Sequence, residues 1–395
     1  MSTAAKIARI ADGPSKVRAV ADVAAAEAAA SERARTLTPR LVEAMWEAGL
    51  MSHMNPAEAR GTEPGFRDMI ETWIAMAAID GSFGWTGLAN FSATAASAAY
   101  LPEAGFAEVF GRGACVVVAG QYAPNGQGAF VDGGIRLTGN YSFGSGTGHS
   151  AYIAAGYLPI RDGELQWEAP GVPELRVAIV PRTEVTFTDG WHVQGLKGTG
   201  SYDYQLRDLF VPAHRTYALF ATEPHRGRSP AFRMGLMPIT AAGHAAWALG
   251  VAKSMLDDVE QLAATKVRMG DLATLANRAS FQQGLAHHAA MWRAARLLVL
   301  DAFEGAERAV AAREALTPVM RADLRVAAVY ATHAARVVGE WAHLAAGTTA
   351  IREGSRLERA FRDLYTGTQH VFINEKVAAE AAQVWLGLVA DHRHL

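Results

Sequence analysis

A single cysteine, Cys115, stands in this 395-residue chain. That excludes an intramolecular disulfide framework and any CxxC metal site, and it suits a reducing compartment. An excess of charge of one sign is lacking too, since 37 Lys and Arg against 39 Asp and Glu leave a net charge of -2. A nucleic-acid binder resting on a broad basic face is thereby excluded, although a local patch is not. Nor is there a long hydrophobic run. The longest weakly polar stretch, 237–252, is interrupted by His244 and falls short of the about 20 residues that a bilayer demands. The opening Met1-Ser-Thr-Ala-Ala-Lys6 leads to Asp12, Asp22 and Glu27, with neither a signal-peptide apolar core nor an acid-free transit composition. These absences leave the expectation of a cytoplasmic globular protein with no membrane role, and of an enzyme.

The familiar chemical signatures are also missing. There is no GxxxxGKS/T phosphate loop, no HExxH and no GxSxG nucleophile elbow. Gly144-Ser-Gly-Thr-Gly148 is glycine-rich but lies between strands instead of opening a helix, so it is a poor dinucleotide fingerprint. Thirteen histidines include the pairs His287-His288 and His333/His343, yet none has a carboxylate or cysteine at metal-ligand spacing. No metal is expected.

What is present falls into three regions. From about residue 19 to 110 the chain is Ala-rich with a helical period. In 34–49, Leu37, Leu41, Ala44, Met45 and Ala48 share one face, and in 66–79 the stripe is Ile70, Ile74, Ala75 and Ala78. Pro102 suits the first turn of a short helix ending near Phe110. From about 114 to 217 the period drops to two, in the runs 116–119, 134–138, 151–155 and 176–180. Turn signals at Pro124-Asn-Gly126, Asp132-Gly-Gly134, Asp162-Gly163 and Asp189-Gly190 separate them. Strands so spaced, without helical patterns between them, predict an antiparallel barrel or sandwich. From about 234 the helical period returns, near 235–268, 272–305, 318–347, 353–366 and 370–390, which predicts a bundle. The expected domains are therefore 1–112, α-helical; 113–218, an antiparallel β-domain; and 219–395, a helical bundle used for oligomerisation. The zone 222–230 is the best candidate for an exposed connection.

Two segments carry more information than these periods. One is Gly120-Gln-Tyr-Ala-Pro124 followed by Leu137-Thr-Gly-Asn-Tyr-Ser-Phe-Gly-Ser-Gly146. The other is Trp191-His-Val-Gln-Gly-Leu-Lys-Gly-Thr-Gly-Ser201, ending in Phe210-Val-Pro212. With the helix–strand–helix order they resemble the acyl-CoA dehydrogenase superfamily over nearly the whole chain, and most of all its flavin-dependent monooxygenase branch. A third segment, Arg359-Ala-Phe-Arg-Asp-Leu-Tyr-Thr-Gly-Thr-Gln-His370, is similar to that branch's C-terminal motif. Typical acyl-CoA dehydrogenases use a glutamate in this neighbourhood to remove the α-proton of a thioester. Here His370 takes the comparable place and Glu375 comes about one and a half turns later, which counts against dehydrogenation.

The resemblance implies an acyl-CoA dehydrogenase-like fold: an N-terminal helical domain, a central β-barrel and a C-terminal four-helix bundle that forms a homotetramer. It implies the oxygenase component of a two-component system, using reduced FMN or FAD and O2. A separate NAD(P)H-flavin reductase would supply the flavin, and a flavin C4a-hydroperoxide would hydroxylate a small phenol- or indole-like aromatic. By the same resemblance Ser145 would reach flavin N5, while Gln121, Phe143, Gly146, Lys197, Thr199 and Thr368 would contact the cofactor. Arg278 would reach its phosphate from a neighbouring subunit, its guanidinium fork matching phosphate oxygens. Trp85, Asn90 and Phe91 would wall the substrate pocket, although some relatives have a histidine near Asn90.

His370 would be the acid/base group, since a histidine titrates near neutral pH. Plainer readings stand beside these. Residues 142–146 could be a bulged strand end, His370 a buried interface histidine, Trp85 core packing and Arg278 a solvated cation. His149 and His192 read as structural. The alternative function is an FAD-containing acyl-CoA dehydrogenase or related flavin oxidase, and beyond it a catalytically silent scaffold.

Overall fold

The computed structural model describes residues 12–111, 115–188 and 190–392. The expected boundary at 112/113, the opening residues and Asp189 of one turn signal lie outside these residues.

Five helices come first: α1 (Gly13–Ala34), α2 (Pro39–Glu47), α3 (Phe66–Ile79), α4 (Gly81–Tyr100) and α5 (Glu103–Phe110). Side-chain caps set their starts. Asp12 accepts from the Ser15 N–H, Thr38 from Leu41 and Asp80 from Phe83, while proline stands in the first turn of α1 and α2. The helix expected over 34–49 begins only at Pro39, because Arg35 takes a left-handed φ of 57° that stops α1 and Thr38 then caps a new helix. Helix α4 is buried on nearly every side. A Cβ at Gly84 would lie 2.6 Å from the Ala77 Cα, so glycine there lets α3 approach α4 closely.

The strands are β1 (Val118–Val131), β2 (Gly134–Gly144), β3 (Tyr152–Arg161), β4 (Glu164–Leu165), β5 (Trp167–Ala169), β6 (Val172–Pro173), β7 (Arg176–Pro181), β8 (Thr186–Thr188), β9 (Tyr202–Pro212) and β10 (Thr216–Ala218). The main sheet runs β10-β7-β3-β1-β2-β9-β8, with β4 on β3, and β5 pairs with β6 separately. The expectation of a wholly antiparallel domain needs correction. Strands β1 and β3 pair in parallel, because the chain leaves β2 at Gly144 and crosses to the far side of β1 instead of turning back as a hairpin. Among the described residues no pairing joins β10 to β8, so the sheet is mixed and open. Its buried face holds Leu137, Tyr141, Ile153, Tyr157 and Tyr204.

The second helical region comprises α6 (Pro230–Met234), α7 (Leu236–Thr265), α8 (Ala279–Ala311), α9 (Pro318–Ala346), α10 (Arg356–Gly367) and α11 (Glu375–Trp385). The segment 222–230 is not exposed throughout as expected. Arg226 and Ser229 are buried, and the Arg226 guanidinium donates to the Leu101 carbonyl at 2.8 Å, which ties this connection to the end of α4. Among the described residues no helix is long and apolar enough to cross a membrane.

Candidate active site

Four pieces of chain meet where the first helices, the sheet and the second helical region come together. They are the first turns of α4, the turn after β2, the strap 195–201 before β9, and the end of α10. Asp80 caps α4, and Ser82 in its first turn accepts the Gly198 N–H at 3.2 Å, docking the strap onto the helix. Across the strap, Asp363 of α10 accepts the Leu196 N–H at 2.5 Å. A Cβ at Gly195 would fall 2.1 Å from the Arg362 carbonyl, so the strap lies directly on α10.

Ser145 stands in the turn after β2, between two residues of positive φ, Phe143 at 61° with Gly144 following, and Gly146 at 78°. Its hydroxyl receives the Trp85 Nε1–H at 3.0 Å and lies 2.8 Å from the Ser201 hydroxyl, which is 2.6 Å from that of Thr199. Gly146 donates to the Thr199 carbonyl at 2.8 Å. Phe143 stands 67 % exposed, with Trp191 edge-on to it at 6.2 Å. The Gln121 side-chain carbonyl accepts from Asn125 at 2.9 Å and from the Ser142 N–H at 3.4 Å, bracing the same turn from β1.

Trp85 joins this strand side to a cluster of rings on the helices. Its edge-on neighbours are Trp247 at 4.9 Å, His244 at 5.1 Å and His370 at 5.6 Å, and the two imidazoles are 4.3 Å apart. Thus Ser145 and His370, chosen from distant motifs, converge on one indole. His370 Nδ1 accepts the Phe372 N–H at 3.2 Å, so the neutral ring carries its proton on Nε2. Burial, reinforced by the Arg325 charge, pushes its pKa down to about 4. The expectation of a histidine titrating near neutrality is corrected accordingly: this ring is a neutral donor at ordinary pH. His244 is held well below its usual range by burial, then by His370 and Arg325.

The remaining predicted residues divide. Asn90 fills the space where a Gly146 Cβ would sit, 2.2 Å from its Nδ2, and its carbonyl oxygen accepts from His149 Nε2 at 2.9 Å. His149, read as structural, thus holds Asn90 in place, and its pKa is pushed down to about 4 by burial and then by Arg182. Thr199 is fully buried, while Lys197 lies 3.9 Å from Glu32. Thr368 Oγ1 donates to the Tyr365 carbonyl at 2.8 Å, just before His370. Phe91 turns elsewhere, lining a small closed cavity with Met54, Met69, Ala95, Phe232 and Ile239. Arg278, at the start of α8, pairs with Asp271 at 3.3 Å and touches none of the cluster. His192 bonds Arg35 at 2.8 Å. Glu375 opens α11 and is exposed.

Sequence reasoning passes over His244, Ser201, Asp363 and Arg325. The one signal for His244 is its isolation in the apolar stretch 237–252. Ser201 closes a quoted motif, but nothing in one dimension shows that its hydroxyl meets Ser145.

The chain is similar to known proteins over most of its length. Residues 242–375 match the family described as acyl-CoA dehydrogenase, C-terminal domain. The chain is 28% identical over 351 residues to an indole-3-acetate monooxygenase of Acinetobacter baumannii, covering 88% of this chain and 87% of that protein. It is 26% identical over 362 residues to the flavin-dependent monooxygenase oxygenase subunit HsaA of Mycobacterium tuberculosis, covering 87% of each. Among solved structures, XiaF from Streptomyces sp. in complex with FADH2 and glycerol superposes with a TM-score of 0.88 at 25% identity, over 96% of both chains.

Proposed function

We infer the activity from one premise: the chain belongs to the flavin-dependent monooxygenase branch of the acyl-CoA dehydrogenase superfamily. It is the oxygenase component of a two-component system, hydroxylating a small aromatic or heteroaromatic compound with reduced flavin and O2. The observation that carries the site assignment is the convergence of Ser145 and His370 on Trp85. The residues fit a flavin. An exposed Phe143 offers a face for a flat ring to lie against at the turn, the tight turn being made possible by Gly144 and Gly146 packed on the protein behind it, and the partly exposed Ser145 stands between them.

When bound, reduced flavin supplies the electrons that activate O2. The chain's own residues orient and protect. Ser145 would hold flavin near N5, Phe143 and Gly146 would border the ring, and Gln121, Lys197, Thr199 and Thr368 would support its surroundings. Trp85, His244 and Trp247 keep water from the reacting face. His370 would donate a hydrogen bond from its Nε2–H to an oxygen atom of the bound reactants, the proton staying on the ring, and Asn90, fixed by His149, borders the same turn. Phe91 enters this reading only as packing behind α4.

Arg278 serves a flavin phosphate in a neighbouring subunit. Association through the bundle 219–395 into a homotetramer is supported by its bare apolar side chains, among them Met269, Leu272, Leu344, Ile351, Leu386 and Leu388. The units 1–112 and 113–218 form the rest of the protomer, the second built on the open mixed sheet. A separate NAD(P)H-flavin reductase supplies the reduced cofactor, and a single unpaired cysteine suits the cytoplasm where both would work.

The test supplies chemically reduced FMN or FAD, O2 and a panel of phenols and indoles to the chain alone. Oxygenated product is expected without NADH, and NADH alone is not consumed. Hydrogen peroxide as the sole product over the whole panel would overturn the reading.

A further inference from the structure

A hydroxyl carries one hydrogen, so a row of hydroxyls between a fixed acceptor and a fixed donor has one consistent order. Thr199, Ser201 and Ser145 form such a row. At its far end the Leu196 carbonyl can only accept, and Thr199 Oγ1 gives it a hydrogen at 2.8 Å. That carbonyl also takes the Trp191 Nε1–H at 3.0 Å, and the Leu196 N–H is bound by Asp363 at 2.5 Å, so the anchor cannot turn. Thr199 has then spent its hydrogen. In its 2.6 Å contact with Ser201, Ser201 must be the donor. Ser201 is spent in turn, so across the 2.8 Å contact with Ser145 the donor is Ser145. At the near end Trp85 Nε1 can only donate, and it gives its hydrogen to Ser145 Oγ at 3.0 Å. Ser145 has used its hydrogen and one lone pair; what it has left is a lone pair. Thr199 and Ser201 are 0% and 1% exposed, so no solvent reverses the order.

We propose that this row makes Ser145 an acceptor only and thereby makes the site choose reduced over oxidised flavin. N5 of the reduced ring bears a hydrogen and completes the row. N5 of the oxidised ring bears a lone pair and meets another lone pair, an unmade hydrogen bond in a desolvated place. The inference rests on the flavin reading above, adds Ser201 to it and gives Thr199 a defined part, both as positioning residues acting through Ser145.

Equilibrium titration with reduced flavin under argon, and with oxidised flavin in air, measures the choice directly and needs no turnover. The wild-type chain should prefer the reduced form. In Ser201→Ala the Ser145 hydrogen loses its acceptor and turns to the ligand. In Thr199→Val the Ser201 hydrogen swings back and frees that of Ser145. Each variant should narrow the preference by about tenfold, which is about 30 mV on the two-electron potential of bound flavin. Thr199→Ser keeps the row and should keep the preference, which separates hydrogen order from mere packing. An unchanged ratio in both Ser201→Ala and Thr199→Val overturns the proposal while leaving the flavin site standing. Equal wild-type affinity for the two redox forms does the same. A chain that binds neither form overturns the functional reading and this inference with it.

Discussion

The two halves of the site meet at Trp85 and are finished to different degrees. On the strand half, the hydrogens of Thr199, Ser201 and Ser145 all have acceptors, and backbone bonds pin the strap that carries them. On the helix half, His370 commits only Nδ1, and among the described residues His244 meets no hydrogen-bond partner although it is 3% exposed. Two neighbouring imidazoles with ring nitrogens still open to a partner give this half spare hydrogen-bonding capacity. The contrast separates two tasks. The strand half suits a partner of constant shape and polarity, the helix half a guest whose polar group varies.

That division is broken most directly on the helix half. His370→Ala should lower product formation by about 10²–10³-fold, the range for a positioned hydrogen-bond donor, while reduced flavin is still consumed by O2. Because burial and Arg325 push the His370 pKa down to about 4, the wild-type rate should show no ionisation of this ring between about pH 6 and 8. Its protonation belongs on the acid side, near that value. A product-rate profile with an inflection at the ordinary histidine position, lost in His370→Ala, would contradict the neutral-donor assignment.

On the strand half the sharper probe is Gly146→Ala. The new Cβ would meet the Asn90 amide at 2.2 Å, at a φ of 78° that L-residues seldom adopt. Strain of about 1–3 kcal/mol is expected, with weaker flavin binding as Asn90 and His149 shift. Gly163→Ala provides the comparison, since φ is 83° there and nothing lies within 4 Å of the added carbon. It should show the backbone cost alone. Equal losses at the two sites, by thermal unfolding and flavin titration, would mean that Asn90 does not fill the pocket behind the turn.

Legibility in the sequence follows the same divide. The helix–strand–helix order reads off the change of period from 3.6 to 2 and back, and α3 begins and ends where its stripe does. The parallel pairing of β1 with β3 does not, because a period of two is the same in either direction and only the crossover at 144–151 decides it. Strand β9 hides in polar alternation, Tyr202-Asp-Tyr-Gln205, beside a glycine-rich strap. Ser145 and His370 are marked by motifs, whereas their common neighbour is a three-dimensional fact. Residues 85, 90 and 91 look like one pocket wall in sequence. On a helix they point in three directions, and only the first two face the turn after β2.

The smallest effect tests the joint between the halves, Asp363. Burial first, and then the nearby Asp80, push its pKa up to about 8, and Asp80 is raised as well, chiefly by burial. A carboxyl whose folded pKa lies above its unfolded value gives stability that is complete below the unfolded value and is lost as pH rises through the folded one. The Asp363 contribution to the wild-type unfolding midpoint should therefore decline from about pH 4 to about pH 8 and level off above it. Asp363→Asn has no charge to gain, and its side-chain carbonyl can still accept the Leu196 N–H, so it should flatten that decline by about 1–2 °C, as about 1 kcal/mol does in a chain of this length. The buried histidines act in the opposite sense and only at lower pH, since a depressed folded pKa costs stability as acid is added below their ordinary value. A decline of equal slope in Asp363→Asn would show that the strap is anchored by an ionised carboxylate. The anchor beneath Thr199 and Ser201 would then be charge-assisted, and stronger than a neutral acid makes it.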